Sequence, residues 1–419
     1  MKRKINQNLH NQAYNDFRWY LDTTYTAKGS EPVIGLSVGY PAAGEFPLPN
    51  SVLDKLMPYE NGREKPRPGY GWEAGSTSLR QSIVAFENLL HNVSYNNDNI
   101  CMVAGASYGL NRIFEQIFKG KNNSQLLVVA PTFYRMLGRA DNYADVVSVV
   151  GREENDFQIT ASELLSSLDN NTKAVFILNP SNPTYIYYPD SFFEEVIPVL
   201  KSKGIYLIID ESGDAFYMGE QKERLKKFPS IIESENVIRI VTASKKYLFA
   251  EYRIGYVLAG KKFIGNKGKG FIKLIGDDIG NAPLAANEAW EQIIKHEILY
   301  LESKKCLERN CDFEIKHNKN NEIIADLRSF AIMRLRKSKK IGKIIVPNTN
   351  FNVCFKVTGT KYKNDKELYK ALLSETKISI LPCSGLGIPS ELMYFRLTYG
   401  INKRLLNTAL DKFLDFIEK

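Results

Sequence analysis

An α/β fold is what this sequence predicts: a large domain on a mostly parallel central sheet, followed by a smaller α+β domain. Three observations carry that expectation. Between about residues 70 and 260, short apolar runs alternate with amphipathic helical patterns. The apolar runs are nearly continuous rather than alternating, as in strands covered on both faces. Beyond residue 288 the pattern changes to long charged helices and then to strands of another kind.

The apolar runs are LLVVA (126–130), AVFIL (174–178), IYLII (205–209) and VIRIV (237–241). In GLNRIFEQIFKG, Leu110, Ile113, Phe114, Ile117 and Phe118 fall at helical spacing, with Gly120 as a stop. SFFEEVIPVL opens with Ser191 and Glu194 in capping-box spacing. Glu288 to about Asn318 predicts a long helical connector, and FNVCFKV (351–357) and YFRLTYG (394–400) predict strands of the second domain. A last amphipathic helix carries Leu406, Ala409, Leu410, Phe413 and Ile417. The Asn-rich patches 95–99 and 318–321 suggest surface turns.

Composition narrows the function classes. A length of 419 residues, 44% hydrophobic and 25% charged, suits a soluble protein of two domains. The net charge of +9 raises the question of nucleic acid, but the basic residues are dispersed and not interleaved with aromatics. The densest cluster, RLRKSKKIGK (334–343), is expected to be a solvated hairpin or loop. The five cysteines form no CxxC pair and only four histidines are present, which argues for a reducing compartment and against structural metal. The start MKRKINQNLHNQ lacks the apolar core of a signal peptide, and no apolar run approaches a membrane span. A cytoplasmic protein, without membrane or nucleic-acid partners, is expected.

Parallel sheets bind ligands beyond the carboxyl ends of their strands. Reading the residues after each predicted strand gives Gly105, Ala106 and Ser107 at a helix start, then PTFY (131–134), NPSNPTY (179–185), Asp210, and Thr242-Ala243-Ser244-Lys245. Each alone has an ordinary structural explanation: a solvated lysine, a capping acid, a turn. Together they offer an amine, an acid, an amide, an aromatic face and a small-residue turn at neighbouring strand ends.

In these motifs the sequence resembles fold-type I pyridoxal-phosphate enzymes of the class I/II aminotransferase family, over nearly the whole chain. The family's S/T-x-S-K with R-x-G eight residues on matches Thr242, Ser244, Lys245, Arg253 and Gly255; N-P-x-N-P-T-G matches NPSNPT. Y-x₄-G-x₃-LR matches Tyr70, Gly75, Leu79 and Arg80. The resemblance implies pyridoxal 5′-phosphate as cofactor, held as a Schiff base on Lys245, with Lys246 as the competing choice. Ala106, Ser107, Arg253, and Thr242 or Ser244 would hold the phosphate. Asp210 would pair with the pyridine nitrogen, Asn182 with the ring 3′ oxygen, and Phe133 would stack on the ring. Arg396 would grip the substrate α-carboxylate, with Gly39 in the loop that closes on it. Tyr70 would reach the phosphate of a neighbouring subunit, implying a homodimer with shared sites. The implied organisation is an N-terminal arm and part of the small domain over 1–60, a large cofactor-binding domain over 61–300, and a small domain over 301–419.

The pattern also departs from the family. Where a tyrosine usually follows the strand-end acid this chain has Gly213, with Tyr217 further on; where NPTG has glycine it has Tyr185; the usual P-G is Pro382-Cys383. The aromatic stretch QAYNDFRWYLDTTY suggests a lid or a packing helix, and its Asp16, Trp19 and Asp22 are candidate contacts for a basic or aromatic substrate side chain. The leading expectation is an amino-acid aminotransferase in which Lys245 also moves the α-proton. The alternatives are a pyridoxal-phosphate lyase, cyclase or oxidase using the same residues, and, from another class, a regulatory binding module. Replacing Lys245 by Ala is expected to abolish the visible Schiff-base absorbance of the protein mixed with pyridoxal phosphate; a retained band would point to the other lysine.

Overall fold

The computed structural model describes residues 8–26, 33–37, 40–41, 45–46, 48–56, 59–60, 63–64, 71–137, 140–216, 225–266, 268–281, 286–303 and 312–419. A seven-stranded sheet is built from β1 (Ile100–Val103), β2 (Gln125–Ala130), β3 (Asp145–Val150), β4 (Thr172–Leu178), β5 (Tyr206–Asp210), β6 (Val237–Thr242) and β7 (Gly255–Ala259). Its order is β1-β7-β6-β5-β4-β2-β3. Every pairing is parallel except those of β7, which runs antiparallel to both neighbours. The four apolar runs of the sequence lie in or at the start of β2, β4, β5 and β6, and their side chains are buried on both faces except those of Tyr206 and Val241, which are partly exposed. With β7 reversed between them, β1 and β6 still point the same way. The carboxyl ends of β1, β2, β4, β5 and β6 and the start of β7 therefore share one edge.

Helices cover both faces. α2 (Thr77–His91) is capped by the Ser76 hydroxyl, which accepts from Leu79 N–H, and ends at left-handed Asn92. α3 (Ala106–Phe118) buries Leu110, Ile113, Phe114, Ile117 and Phe118, and Gly120 follows at φ 78°. α4 (Asp190–Ser202) corrects the expected capping box: Pro189 occupies the N-cap, so Ser191 lies inside the first turn and caps nothing.

A second, four-stranded antiparallel sheet contains β8 (Ile341–Ile345), β9 (Asn352–Val357), β10 (Leu381–Pro382) and β11 (Tyr394–Thr398), in the order β8-β9-β11-β10. Its core includes Phe355, Phe395, Phe413 and Ile417, and also Phe17, Tyr20, Leu36 and Phe46 from the other end of the chain. The connector is two helices, α5 (Asn287–Ser303) and α6 (Asp312–Leu335). Asn318–Asn321 lie within α6, not in a turn: the flanking Ile323, Ile324 and Leu327 pack on the second core and carry the asparagines into the helix. The basic cluster 334–343 is likewise not a hairpin. It spans the end of α6, a turn and the start of β8, and Arg334 pairs with Asn407 and Asp411 of α7 (Lys403–Glu418).

The N-terminal helix α1 (Leu9–Thr26) is packed in place. Ala13, Phe17 and Tyr20 are buried, and an added Cβ at Gly385 would stand 3.1 Å from the Phe17 backbone. Asp16 pairs with Lys366 at 2.5 Å, and Trp19 packs edge-on against Tyr369. At its other end His10 meets Asp141 at 3.0 Å. Phe17 in turn lies edge-on to Phe133, with ring centroids 5.3 Å apart. No helix among the described residues is long and apolar enough to cross a membrane.

Beneath the first sheet sits a buried charge network. Arg239 of β6 forks onto Glu211 at 2.5 and 2.9 Å and reaches Glu87 of α2 at 2.5 Å. Tyr256 donates to the other Glu87 oxygen at 2.6 Å. His91 Nδ1 accepts from Phe228 N–H at 3.0 Å, and burial, helped by the Arg239 charge, lowers its pKa to about 3. The neutral ring then carries its proton on Nε2, which faces Glu87 at 3.4 Å. Replacing Arg239 by Met strands two buried carboxylates. The expected loss is about 3–5 kcal/mol of unfolding free energy in denaturant titrations at neutral pH. The loss should be smaller at roughly pH 5, where the orphaned carboxyls, their pKa raised in the folded state, can take up protons.

Candidate active site

The shared sheet edge brings the strand-end residues together. β5 ends on Asp210, which is fully buried. One carboxylate oxygen accepts from Ser212 N–H at 2.8 Å; the other is buried without a partner among the described residues. Burial pushes its pKa above the ordinary range, opposed by the Ser212 hydrogen bonds and by Lys245. An ionised carboxylate buried with half its lone pairs unused calls for a cationic or N–H donor.

The two lysines after β6 have different fates. Lys246 is paired with Asp214 at 3.0 Å, and Asp214 also accepts from Tyr187. That ion pair holds Lys246 protonated, its pKa raised despite burial. Lys245 forms no hydrogen bond or ion pair among the described residues. Burial lowers its pKa to about 8, with the Arg396 charge acting in the same direction and Asp210 opposing. Spacing to Thr242 and Arg253 favours Lys245, and it is Lys246, not Lys245, that Asp214 engages.

A cradle lies at the start of α3. Gly105 is at φ 81°, and a Cβ there would come within 2.5 Å of Arg253 Nη2. The Arg253 guanidinium, which donates to the Ala250 carbonyl at 3.0 Å, thus lies against Gly105, the residue before a 13-residue helix that opens with Ala106 and the exposed Ser107. Helix N-termini with a guanidinium above them bind phosphate well. The Thr242 hydroxyl is buried without a partner among the described residues, and Ser244 is partly buried on the same turn. Phe133 follows β2 at this edge, its ring held by Phe17.

Arg396 arrives from the second sheet, at the centre of β11, and is nearly fully buried. Its Nη1 donates to Asn182 Oδ1 at 3.1 Å and to the Tyr185 hydroxyl at 3.3 Å; its Nη2 donates to the Ser37 carbonyl at 2.9 Å. Asn182 and Arg396, read separately in the sequence, are thus in direct contact. Gly39, Tyr70 and Tyr217 lie outside the described residues.

Sequence reasoning missed three contributors. Asp214 has no motif of its own. Ser37 acts through its backbone, which no side-chain pattern reveals. Tyr185 was visible only as bulk at φ 56°, not as a hydroxyl aimed at Arg396. Gly213 is packed rather than merely small: an added Cβ would lie 3.2 Å from Pro180, and its carbonyl accepts from Asn350 Nδ2 at 2.6 Å.

The donor set fits pyridoxal phosphate: a depressed amine, an unsatisfied buried carboxylate, an unsatisfied hydroxyl and an anion cradle along one edge. In the cofactor-free protein, modification of Lys245 by an amine reagent, read by peptide mass spectrometry, should rise with pH through a midpoint of about 8. An ordinary lysine titrates near 10.4, and a midpoint there would contradict the environment described.

Known proteins bear on this geometry. The sequence profile of the family described as aminotransferase class I and II matches residues 31–413. An aspartate aminotransferase from Pyrococcus horikoshii is 25% identical over 388 residues, covering 92% of this chain and 91% of its own. An aspartate aminotransferase from Bacillus subtilis is 25% identical over 414 residues, covering 94% and 95%. In fold, the crystal structure of aspartate aminotransferase from Thermotoga maritima is similar at a TM-score of 0.78 and 22% identity, over 96% of each chain. With strand order, site and profile in agreement across nearly its whole length, the chain belongs to the class I and II aminotransferase family.

Proposed function

We propose that the chain transfers the amino group of an α-amino acid, using pyridoxal 5′-phosphate bound at Lys245. The observation that carries this reading is the pair of lysines at the end of β6: Lys246 is neutralised by Asp214, while Lys245 is unpaired, depressed to about 8 and beside Asp210. When bound, the cofactor supplies an aldehyde that condenses with amines and a ring that withdraws electrons from the α-carbon.

The chain's own residues do the rest. Asp210, with its free oxygen, keeps the pyridine nitrogen protonated. The Ala106 and Ser107 N–H groups, the Ser107, Thr242 and Ser244 hydroxyls and Arg253 hold the phosphate. Phe133 covers one face of the ring and Asn182 contacts its 3′ oxygen. Arg396 takes the substrate carboxylate, and Gly39 belongs to the loop that closes over it. Lys245, neutral for a large fraction of the time near pH 8, takes the α-proton and returns it. Tyr70 supports a homodimeric arrangement, as do the exposed Trp72 and Tyr252, the latter adjacent to Arg253 in the chain. Cys101, Cys354 and Cys383, free thiols among the described residues, fit the reducing compartment expected from the sequence and so support a cytoplasmic location.

A second reading, a lyase, cyclase or oxidase on the same cofactor, draws support from Gly213. Gly213 offers no side chain toward the ring oxygen at the position where the family usually has a tyrosine hydroxyl.

Absorbance of the cofactor-loaded protein with single amino acids, with and without a keto acid, separates the two. Transamination requires the band to shift with an amino acid and to return when a keto acid is added. Ammonia or peroxide released without any keto acid would establish the second reading. The curated relatives are named for aspartate, so aspartate heads the panel, followed by arginine, lysine and tyrosine.

A further inference from the structure

A guanidinium has five N–H donors, and those of Arg396 are divided unequally. Both Nη1 protons are engaged, by Asn182 Oδ1 at 3.1 Å and the Tyr185 hydroxyl at 3.3 Å. Nη2 gives one to the Ser37 carbonyl. Nε–H is buried without a partner among the described residues, and Nη2 keeps one proton. Nη2 is the terminal nitrogen on the same edge as Nε–H, so this edge, its Nε–H unpartnered among the described residues, is the one left for a side-on approach by a carboxylate.

Tyr185 is built into this arrangement at a cost. It holds a left-handed backbone, φ 56°, that disfavours a bulky side chain, and its side chain is wholly enclosed. Its N–H donates to Ser181 at 2.7 Å and its carbonyl accepts from Asn348 N–H at 3.0 Å. Burial raises the hydroxyl's pKa, so the group stays neutral and accepts from the cation. A backbone outlier whose one side-chain hydrogen bond among the described residues is to the candidate carboxylate grip points to a functional constraint.

We infer that Tyr185 is a positioning residue for substrate recognition: with Asn182 it occupies the Nη1 end of Arg396 and presents the Nε/Nη2 edge to the substrate carboxylate. Tyr185 does not touch substrate; it acts through Arg396. The inference rests on the reading of Arg396 as the carboxylate grip.

The experiment compares wild type, Tyr185→Phe, Arg396→Lys and the double variant, each loaded with pyridoxal phosphate. Apparent dissociation constants are taken from absorbance titrations with L-aspartate and its α-carboxamide, L-alanine and L-alaninamide, and L-arginine and L-argininamide. The readout is the acid-to-amide preference within each protein, in which a loss of folded fraction cancels. Tyr185→Phe should reduce that preference about tenfold, the scale of one hydrogen bond to a charged group, with kcat at saturating acid changed less than about twofold. In the Arg396→Lys background the same change should have no further effect. The inference is overturned if Tyr185→Phe leaves the preference at the wild-type value, weakens acid and amide alike, or acts equally in both backgrounds. A preference untouched by Arg396→Lys would instead remove the carboxylate reading of Arg396, and the inference with it.

Discussion

One guanidinium, that of Arg239, is buried beneath the sheet between Glu211 and Glu87, and much of the site depends on it. It belongs to β6, three residues before Thr242. Glu211 directly follows Asp210, and Glu87 lies on α2. A charge removed from water must be paired with good geometry or it destabilises the fold. Here that requirement fixes the ends of β5 and β6 relative to each other, and these two ends carry Asp210 and Lys245. The register of the site is thus set on the face of the sheet away from the unpartnered oxygen of Asp210.

A second ion pair repeats the device one turn further out. Asp214 binds Lys246 and so ties the loop after β5 to the loop after β6. Of two adjacent lysines, it makes one a fixed cation and leaves the other without an ion pair among the described residues. A buried amine without a partner loses its proton more readily, which suits a nucleophile and a base. The same loop is clasped from the second sheet side by Asn350, which donates to the Gly213 carbonyl, and by Thr349, whose hydroxyl donates to the Ala215 carbonyl and accepts from the Ala215 N–H. The site is therefore a junction of two cores, and Arg396 enters it as part of the smaller one.

The helix α1 belongs to that junction. Phe17 and Tyr20 pack into the second core, Phe17 supports Phe133, and Tyr20 joins Ser37 and Tyr369 around the Ser379 hydroxyl. Ser37 is the residue whose carbonyl holds Arg396. The aromatic richness of this segment, legible in the sequence as either lid or packing, reflects its position between Phe133 and the support of the arginine.

The sequence by itself determined the strands of the first sheet, because runs buried on both faces must be continuously apolar, and it determined which residues follow their carboxyl ends. That was enough to bring Lys245, Asp210 and Asn182 to one edge; Arg253 and Arg396 joined them through the family resemblance. It misread Asn318–Asn321, where burial of neighbouring apolar residues overrode local turn preference, and in the 334–343 cluster only the central solvated turn matches the expectation. Only the tertiary structure decided which lysine is free, that Asn182 and Arg396 touch, and that Tyr185 contributes a hydroxyl rather than bulk. These are pairings between residues 32 or more positions apart. Local pattern governs which element forms; the partner of a buried polar group is settled only when distant segments close on it.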